Sequence, residues 1–246
     1  MTNKSVERIA RVPCNPANHG GRRDKSAVRY LVYHYTGNDG DRGAGNAAYY
    51  RDNAVKASAH YFVDDDGVTQ SVDDLTVAWA VGGEKWSDCG KTGGGTMHGV
   101  VTNANSLSIE MCDTERDGSL GVTDATLENA LALGRLLMDR YGIPVENVCR
   151  HFDVTGKHCP AYLMDGDRWA AFKARLAESG KPDRYDTLAE IGERCPWAAE
   201  TVAKLIEKGV IRGSGVRDPQ GRPADMDLSR DMLRLLAWID RAGLLA

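Results

Sequence analysis

Several absences narrow the field before any motif is read. No apolar run in the 246 residues approaches the ~18 needed to cross a bilayer, so membrane insertion is not expected. The opening stretch, Met1 to Arg11, has no apolar centre of the kind a secretory leader carries. The expectation is a chain made in the cytoplasm that reaches any outside target by release. Basic excess is missing too: 31 Lys and Arg against 35 Asp and Glu leave a formal net charge of −4. That balance argues against nucleic acid as a partner. Cys14, Cys89, Cys112, Cys149, Cys159 and Cys195 form neither a CxxC pair nor a dense framework, so free thiols are expected rather than disulfides.

What is present suits a globular protein. The 42% apolar content supports a core, and the length fits one large domain or a medium domain plus a small one. Residues 1–28 read as a polar arm. Tyr30–Thr36 reads as a strand, with Leu31, Tyr33 and Tyr35 on one face and Val32, His34 and Thr36 on the other. A short helix is expected over Asn46–Val55, with Tyr49, Tyr50 and Ala54 inward. A hairpin follows: Ser58–Val63, a solvated turn at Asp64-Asp65-Asp66-Gly67, then Val68–Val72. His60 reads as structural or as a group behind a site. The Gly-rich stretch 82–99 reads as a mobile loop rimming a cleft, where Trp86 either stacks on a sugar or simply packs.

Ser106–Cys112 is a strand with Glu110 among apolar neighbours. A carboxylate there is costly unless paired or used, so Glu110 is either a strand-edge ion pair or catalytic. Thr123–Tyr141 is the clearest helix, with Leu127, Leu131, Leu137, Met138 and Tyr141 as its apolar stripe. Asp167–Ala177 is another, burying Trp169, Phe172 and Leu176. Strands alternating with helices make residues 1–178 an α/β domain. A polar linker at 179–185 leads to a module at 186–246 with helices over Trp197–Lys208 and Ser229–Ala242. It is too small to bury much core, and is expected to dock, self-associate or bind a ligand.

The chemistry concentrates at His151-Phe-Asp-Val-Thr-Gly-Lys-His-Cys159-Pro160, read as a loop after a strand at Val145–Arg150. It sets an imidazole and a thiol eight residues apart. Catalytic zinc takes three protein ligands and keeps an open position, and the best candidate for the third is His34 near the end of its strand. The competing reading keeps both histidines in the core and Cys159 as a free thiol.

Taken together, Val32-Tyr-His-Tyr-Thr36, Ala59-His-Tyr-Phe-Val-Asp64, Ser108-Ile-Glu-Met111 and His151 with Lys157-His-Cys-Pro160 resemble the zinc-dependent N-acetylmuramoyl-L-alanine amidases, which share a fold with peptidoglycan recognition proteins and include many phage endolysins. The resemblance implies a central mixed β-sheet flanked by helices, with peptidoglycan as substrate. It implies hydrolysis of the amide joining muramic acid to L-alanine of the stem peptide, by an enzyme that meets the wall after release from the host cytoplasm. It places His34, His151 and Cys159 as zinc ligands, Glu110 as the proton-transferring group and Lys157 beside the oxyanion. Ala59 stands where some members carry a tyrosine, and Ala80 where many carry a histidine. The alternative on the same fold is a non-catalytic peptidoglycan binder. The C-terminal stretch is similar, more weakly, to helical repeats of phage and clostridial-type amidases and to surface-layer modules, which implies attachment to a wall polymer or self-association.

Overall fold

The computed structural model describes residues 9–177 and 184–244. Two compact units divide near residue 180. In the first, the elements are β1 (Ala10–Arg11), β2 (His19–Arg22), β3 (Tyr30–Asp39), α1 (Gly43–Asp52), β4 (Tyr61–Asp64), β5 (Gly67–Gln70), β6 (Thr76–Ala78), α2 (Cys89–Thr92), β7 (Ser106–Asp113), α3 (Asp124–Tyr141), β8 (Val148–Arg150), α4 (His151–Thr155) and α5 (Gly166–Ala177).

Six strands form one mixed sheet in the order β1-β5-β4-β7-β3-β8. Only the β4–β5 hairpin is antiparallel; β3 runs parallel to β7 and β8 on its two sides. The two-residue side-chain period then sorts chemistry from core. Leu31, Tyr33, Ile109 and Met111 join Leu131, Leu137, Phe172 and Leu176 in the main core, beneath α3 and α5. Burying each large side chain there contributes ~1.5–3 kcal/mol. Val32, His34, Glu110 and Cys112 stand on the opposite face. α3 comes close enough to the sheet for the Tyr33 hydroxyl to donate to the Ala130 carbonyl at 3.0 Å. A side chain at Gly134 would collide with that hydroxyl.

α3 starts where expected, because the Thr123 hydroxyl accepts from the Thr126 amide, and it stops at Gly142 in the left-handed region. Other expectations need correction. Residues 10–28 are no arm: β1 extends the main sheet and β2 pairs with β6, with Asn18 fully buried. α1 begins three residues earlier than expected, since Asp64 Oδ2 accepts from the Gly43 amide at 2.8 Å; Tyr49 points outward, while Tyr50 stacks on Phe62. β4 starts only at Tyr61, and β5 ends at Gln70. The Asp64–Gly67 turn exists, yet only Asp66 is solvated. Asp65 accepts from the hydroxyls of Thr114, Thr123 and Thr126, tying the hairpin to the start of α3. The strand before the site is shorter than read, with a 3-10 turn at Val145–Asn147 ahead of β8.

Of the linker expected at 179–185, residues 179–183 lie outside the described residues. Arg184–Tyr185 is a strand, β9, pairing antiparallel with Leu228–Ser229, β10. Between and after them come α6 (Leu188–Arg194), α7 (Pro196–Glu207) and α8 (Arg230–Arg241). Tyr185, Ile191, Cys195, Ala198, Val202 and Leu233 form this unit's own small core. All six cysteines are free and buried.

Candidate metal centre

Three segments build the site. β3 supplies His34, and its register partner on β7 is Glu110, so the two side chains leave the same face of adjacent strands. The third segment follows β8, and here the expected loop is instead a short helix, α4. Asp153 starts it by accepting from the Arg150 amide at 2.8 Å while gripping the Arg150 guanidinium at 2.7 Å. Gly156, at φ 88°, ends it. The chain then folds back until the Phe152 amide donates to the Cys159 carbonyl at 2.9 Å, which returns Cys159 to the side of His151.

Nδ1 of His34 lies 3.1 Å from Nδ1 of His151 and 4.0 Å from Sγ of Cys159; all three candidate ligand atoms fall within 4.8 Å of one another, and all three residues are buried. Glu110 Oε1 is 3.9 Å from His34 Nδ1, and Glu110 Oε2 has no hydrogen-bond partner among the described residues. The side chain of Glu110 keeps 20% of its surface exposed, so the cluster opens to solvent on its side. Lys157 and His158 are exposed at the rim.

Electrostatics make this a poor place for charge. Burial, then the neighbouring His151 and Lys157, holds His34 well below the usual imidazole range. Burial and Lys157 push His151 down to about 4. Burial and Glu110 push the Cys159 thiol up to about 12, against the Tyr35 amide, which favours the thiolate. Burial lifts Glu110 to about 8, although Lys157 pulls it down. Two neutral imidazoles with facing nitrogens can share one proton in an N–H···N contact, but whichever ring donates, His34 Nε2 is left without a partner among the described residues.

A divalent cation offers the two facing nitrogens and the thiolate a common partner, and the donor set suits one. Two nitrogens on a tetrahedral zinc at ~2.05 Å sit ~3.3 Å apart, and a nitrogen and a thiolate sulfur ~3.6 Å apart. The His34–His151 and His34–Cys159 separations, 3.1 and 4.0 Å, lie within a few tenths of an ångström of those edges, and all three ligand atoms lie within 4.8 Å of one another. A coordinated thiol loses its proton outright, which overrides the upward push of burial.

All five residues singled out from the sequence therefore belong to this neighbourhood. Sequence reasoning missed the Tyr35 amide, a backbone group with no signature. The 82–99 stretch, expected as a mobile loop rimming a cleft, is fastened by backbone hydrogen bonds and holds the short helix α2. Trp86 and Met97 donate their amides to the carbonyls of Thr155 and Asp153 at 2.8 Å, and Gly95 to that of Phe152 at 2.9 Å, so this segment clasps α4. Trp86 remains half-exposed above it.

His60 belongs to a different cluster. The Ser108 amide donates to its Nδ1 at 3.1 Å, Nε2 faces the Thr76 carbonyl at 3.1 Å, and the Arg23 guanidinium lies 3.0 Å from the same nitrogen.

His34, His151 and Cys159 thus form a buried His-His-Cys set beside a carboxylate, a group able to hold a metal ion. Residues 24–162 match the family model described as N-acetylmuramoyl-L-alanine amidase, and the chain belongs to that family. Among its relatives, the N-acetylmuramoyl-L-alanine amidase BlyA of Bacillus subtilis is 31% identical over 172 residues, 67% of this chain and 45% of BlyA. The amidase CwlL of Bacillus licheniformis is 30% identical over 205 residues, 80% of this chain and 53% of CwlL. The chain thus spans about half the length of these relatives. Of the solved structures, the catalytic domain of XlyA superposes with a TM-score of 0.53 at 27% identity, covering 69% of this chain and 99% of that domain. PlyL superposes with a TM-score of 0.55 at 26% identity, covering 69% and 96%.

Proposed function

We propose that this chain is a zinc-dependent N-acetylmuramoyl-L-alanine amidase that cuts peptidoglycan between the lactyl group of muramic acid and the L-alanine of the stem peptide, as an endolysin does. The observation that carries this reading is the convergence of His34 Nδ1, His151 Nδ1 and Cys159 Sγ next to a carboxylate oxygen that nothing else claims. Family membership supplies the reaction class.

His34, His151 and Cys159 would hold the zinc. When bound, zinc polarises the scissile carbonyl and makes a nearby water more acidic. Glu110 Oε2 takes the proton of the attacking water and delivers it to the departing amine, so that the amide C–N bond breaks into a carboxylate and a free L-alanine amine. A carboxyl lifted by burial suits a group that must both accept and return a proton near neutrality. The Lys157 ammonium at the rim offsets the charge that develops on the carbonyl oxygen.

No described helix is long and apolar enough to cross a membrane. The site of action in this reading is the bacterial wall, reached after release from the host cytoplasm, and the C-terminal unit serves attachment.

The test pairs metal content with release of stem-peptide amines from purified sacculi. One zinc per chain and chelator-sensitive amine release, both lost in Cys159→Ser, are expected. Zinc without amine release would favour a peptidoglycan binder on the same fold, and absence of zinc would end the mechanism.

A further inference from the structure

The loop joining β7 to α3 takes no part in the chemistry above. It reads Asp113-Thr-Glu-Arg-Asp-Gly-Ser-Leu-Gly-Val-Thr-Asp124, with carboxylates at its positions 1, 3, 5 and 12 and glycine at position 6. That is the spacing of a twelve-residue calcium loop, whose ligands come from positions 1, 3, 5, 7, 9 and 12 and whose sharp turn needs glycine at 6. Gly118 makes that turn, at φ 80°. The loop departs from the pattern in three ways. A strand enters it rather than a helix, Glu115 stands at position 3 where Asp or Asn is usual, and position 12 is the shorter Asp124, the first residue of α3.

Spacing alone does not make a site; the fold adds an unanswered carboxylate. Asp113 ends β7 and is only 3% exposed, and its Oδ2 has no hydrogen-bond partner among the described residues. A buried anionic oxygen without a partner is costly. The register partner of Asp113 is Asp39, the last residue of β3, so two carboxylates stand opposite each other on adjacent strands, a pairing that repels. The loop brings a third. The Asp117 and Gly118 amides donate to Asp39 Oδ1 at 3.0 and 3.2 Å, which folds the turn back over the strand end. Burial, then Asp39 and Asp117, raise the Asp113 carboxyl above its ordinary range, while the Gly121 and Glu115 amides pull it back, so the loop wraps this side chain. Among the described residues, no ion pair joins Asp39, Asp113, Glu115 or Asp117 to a cation. Arg42 pairs instead with Asp65 at 3.5 Å and Asp66 at 3.8 Å, and Arg116 lies against Gly40.

We infer that the Asp113–Asp124 loop, together with Asp39, binds one calcium ion. The donors on offer are all hard oxygens: the carboxylates of Asp113, Glu115, Asp117 and Asp39, and the Ser119 carbonyl at position 7. Such a set suits calcium and not the softer metal of the His-His-Cys centre. Calcium also tolerates wider spacing. It takes six to eight oxygens at about 2.3–2.6 Å, carbonyls and waters among them, so ligands on opposite sides stand ~5 Å apart. Among the described residues, the His34, His151 and Cys159 set alone has three side-chain ligand atoms within 4.8 Å of one another, a crowding that calcium does not need. The position gives the ion a role. β3 carries His34 and β7 carries Glu110, and the same two strands end at Asp39 and Asp113. The Asp41 amide already donates to the Asp113 carbonyl at 2.8 Å, and the Asp113 amide to Asp41 Oδ1 at 3.0 Å. Calcium offsets the repulsion left at this seam and fastens the two strands that carry His34 and Glu110. The inference does not depend on the amidase reading.

The experiment titrates the full chain, dialysed free of calcium, with calcium chloride by isothermal calorimetry, with equimolar zinc present and absent and with magnesium chloride in parallel. One calcium site is expected in both zinc conditions, so failure of the zinc reading leaves this one standing. With Asp at position 12, a dissociation constant of about 10⁻⁴–10⁻³ M is expected, and magnesium, which demands octahedral geometry and keeps its waters, should bind at least about tenfold more weakly. Asp113→Asn and Asp117→Asn should each weaken calcium at least about tenfold, while Asp66→Asn, in the other aspartate-rich turn, should bind like the parent. At ten times the dissociation constant, calcium should raise the thermal midpoint of the parent by ~3–5 °C and leave that of Asp117→Asn unchanged. Circular dichroism checks each fold. If Asp113→Asn does not fold, Asp117→Asn decides, since that side chain is exposed. No binding up to about 10 mM calcium, equal affinity for magnesium, parent-like binding in the loop variants, loss of binding in Asp66→Asn, or zinc released in step with calcium uptake would each overturn the inference.

Discussion

Two buried histidine clusters sit on the same sheet, and their contrast shows what separates a site from a scaffold. Around His60 both ring nitrogens have partners. Its Nδ1 meets the Ser108 amide and hydroxyl, its Nε2 the Thr76 carbonyl, and Arg23 also donates to the carbonyls of Asp74, Asn103 and Ser106. Around His34 the accounting fails. Two imidazole nitrogens face each other, and both His34 Nε2 and Glu110 Oε2 lack partners among the described residues. Buried polar groups in folded proteins are normally satisfied, so a cluster of exceptions points to a ligand. Burial alone does not distinguish the two, since His60 and His34 are both almost fully enclosed.

The contrast breaks most sharply on ligand replacement. His34→Ala and Cys159→Ser should each abolish stoichiometric zinc and cut amine release by at least ~10³-fold, more than the loss seen on removing a group behind a ligand. Metal-free Cys159→Ser should unfold in urea at nearly the same midpoint as the metal-free parent, because serine keeps the shape and can still accept from the Tyr35 amide. A large drop in that midpoint would make Cys159 a scaffold residue. Glu110→Gln keeps shape and hydrogen-bonding capacity but cannot take a proton. Its expected signature is zinc retained with kcat reduced ~10²–10⁴-fold. Loss of zinc in this variant would instead make Glu110 part of the metal's own shell.

How much of this could be read from the chain varied with the kind of interaction. His34 and Glu110 were legible because alternation sets each on the face of its own strand opposite Tyr33 or Ile109, while the pairing of the two strands that brings them together appears only in the fold. Cys159 was legible from its distance to His151. The helix α4 was not: Phe-Asp-Val-Thr lacks good helix formers, and its start depends on the Arg150–Asp153 pair, whose i, i+3 spacing was the available signal. The clasp of residues 86–97 over α4 runs through backbone amides, which leave no mark on residue identity. Asp65 illustrates the same limit. Three consecutive aspartates look like a solvated turn until the threonine hydroxyls of two distant segments are seen to converge on one of them.

A smaller effect is expected at Lys157. Its charge reaches His34, His151, Cys159 and Glu110, yet the residue is exposed, and solvent weakens what it contributes. Lys157→Met should lower kcat ~10–100-fold with KM and zinc content little changed, below the range for a fully enclosed oxyanion donor. A rise in KM alone would assign Lys157 to substrate binding.

The smallest effect on activity, and the one that tests the scaffold side of the contrast, is at His60. His60→Ala should keep zinc and most of kcat while costing ~2–4 kcal/mol of stability, because the Ser108 amide and the Thr76 carbonyl lose a partner in a closed space. Acid dependence sharpens this. Burial, with Arg23 alongside, holds His60 down at about 3, below the ~6.5 of an unfolded histidine. The unfolded chain therefore binds a proton that the folded one refuses. This contribution to stability is complete above about pH 6.5 and is lost as the pH falls towards 3, by up to ~1.4 kcal/mol per pH unit. Urea midpoints measured from pH 7 to pH 4 should fall less steeply in His60→Ala than in the parent, by about one proton's worth of slope. Equal slopes would mean that His60 is protonated in the fold, and the satisfied network around it would have to be redrawn with an acceptor in place of the Ser108 amide.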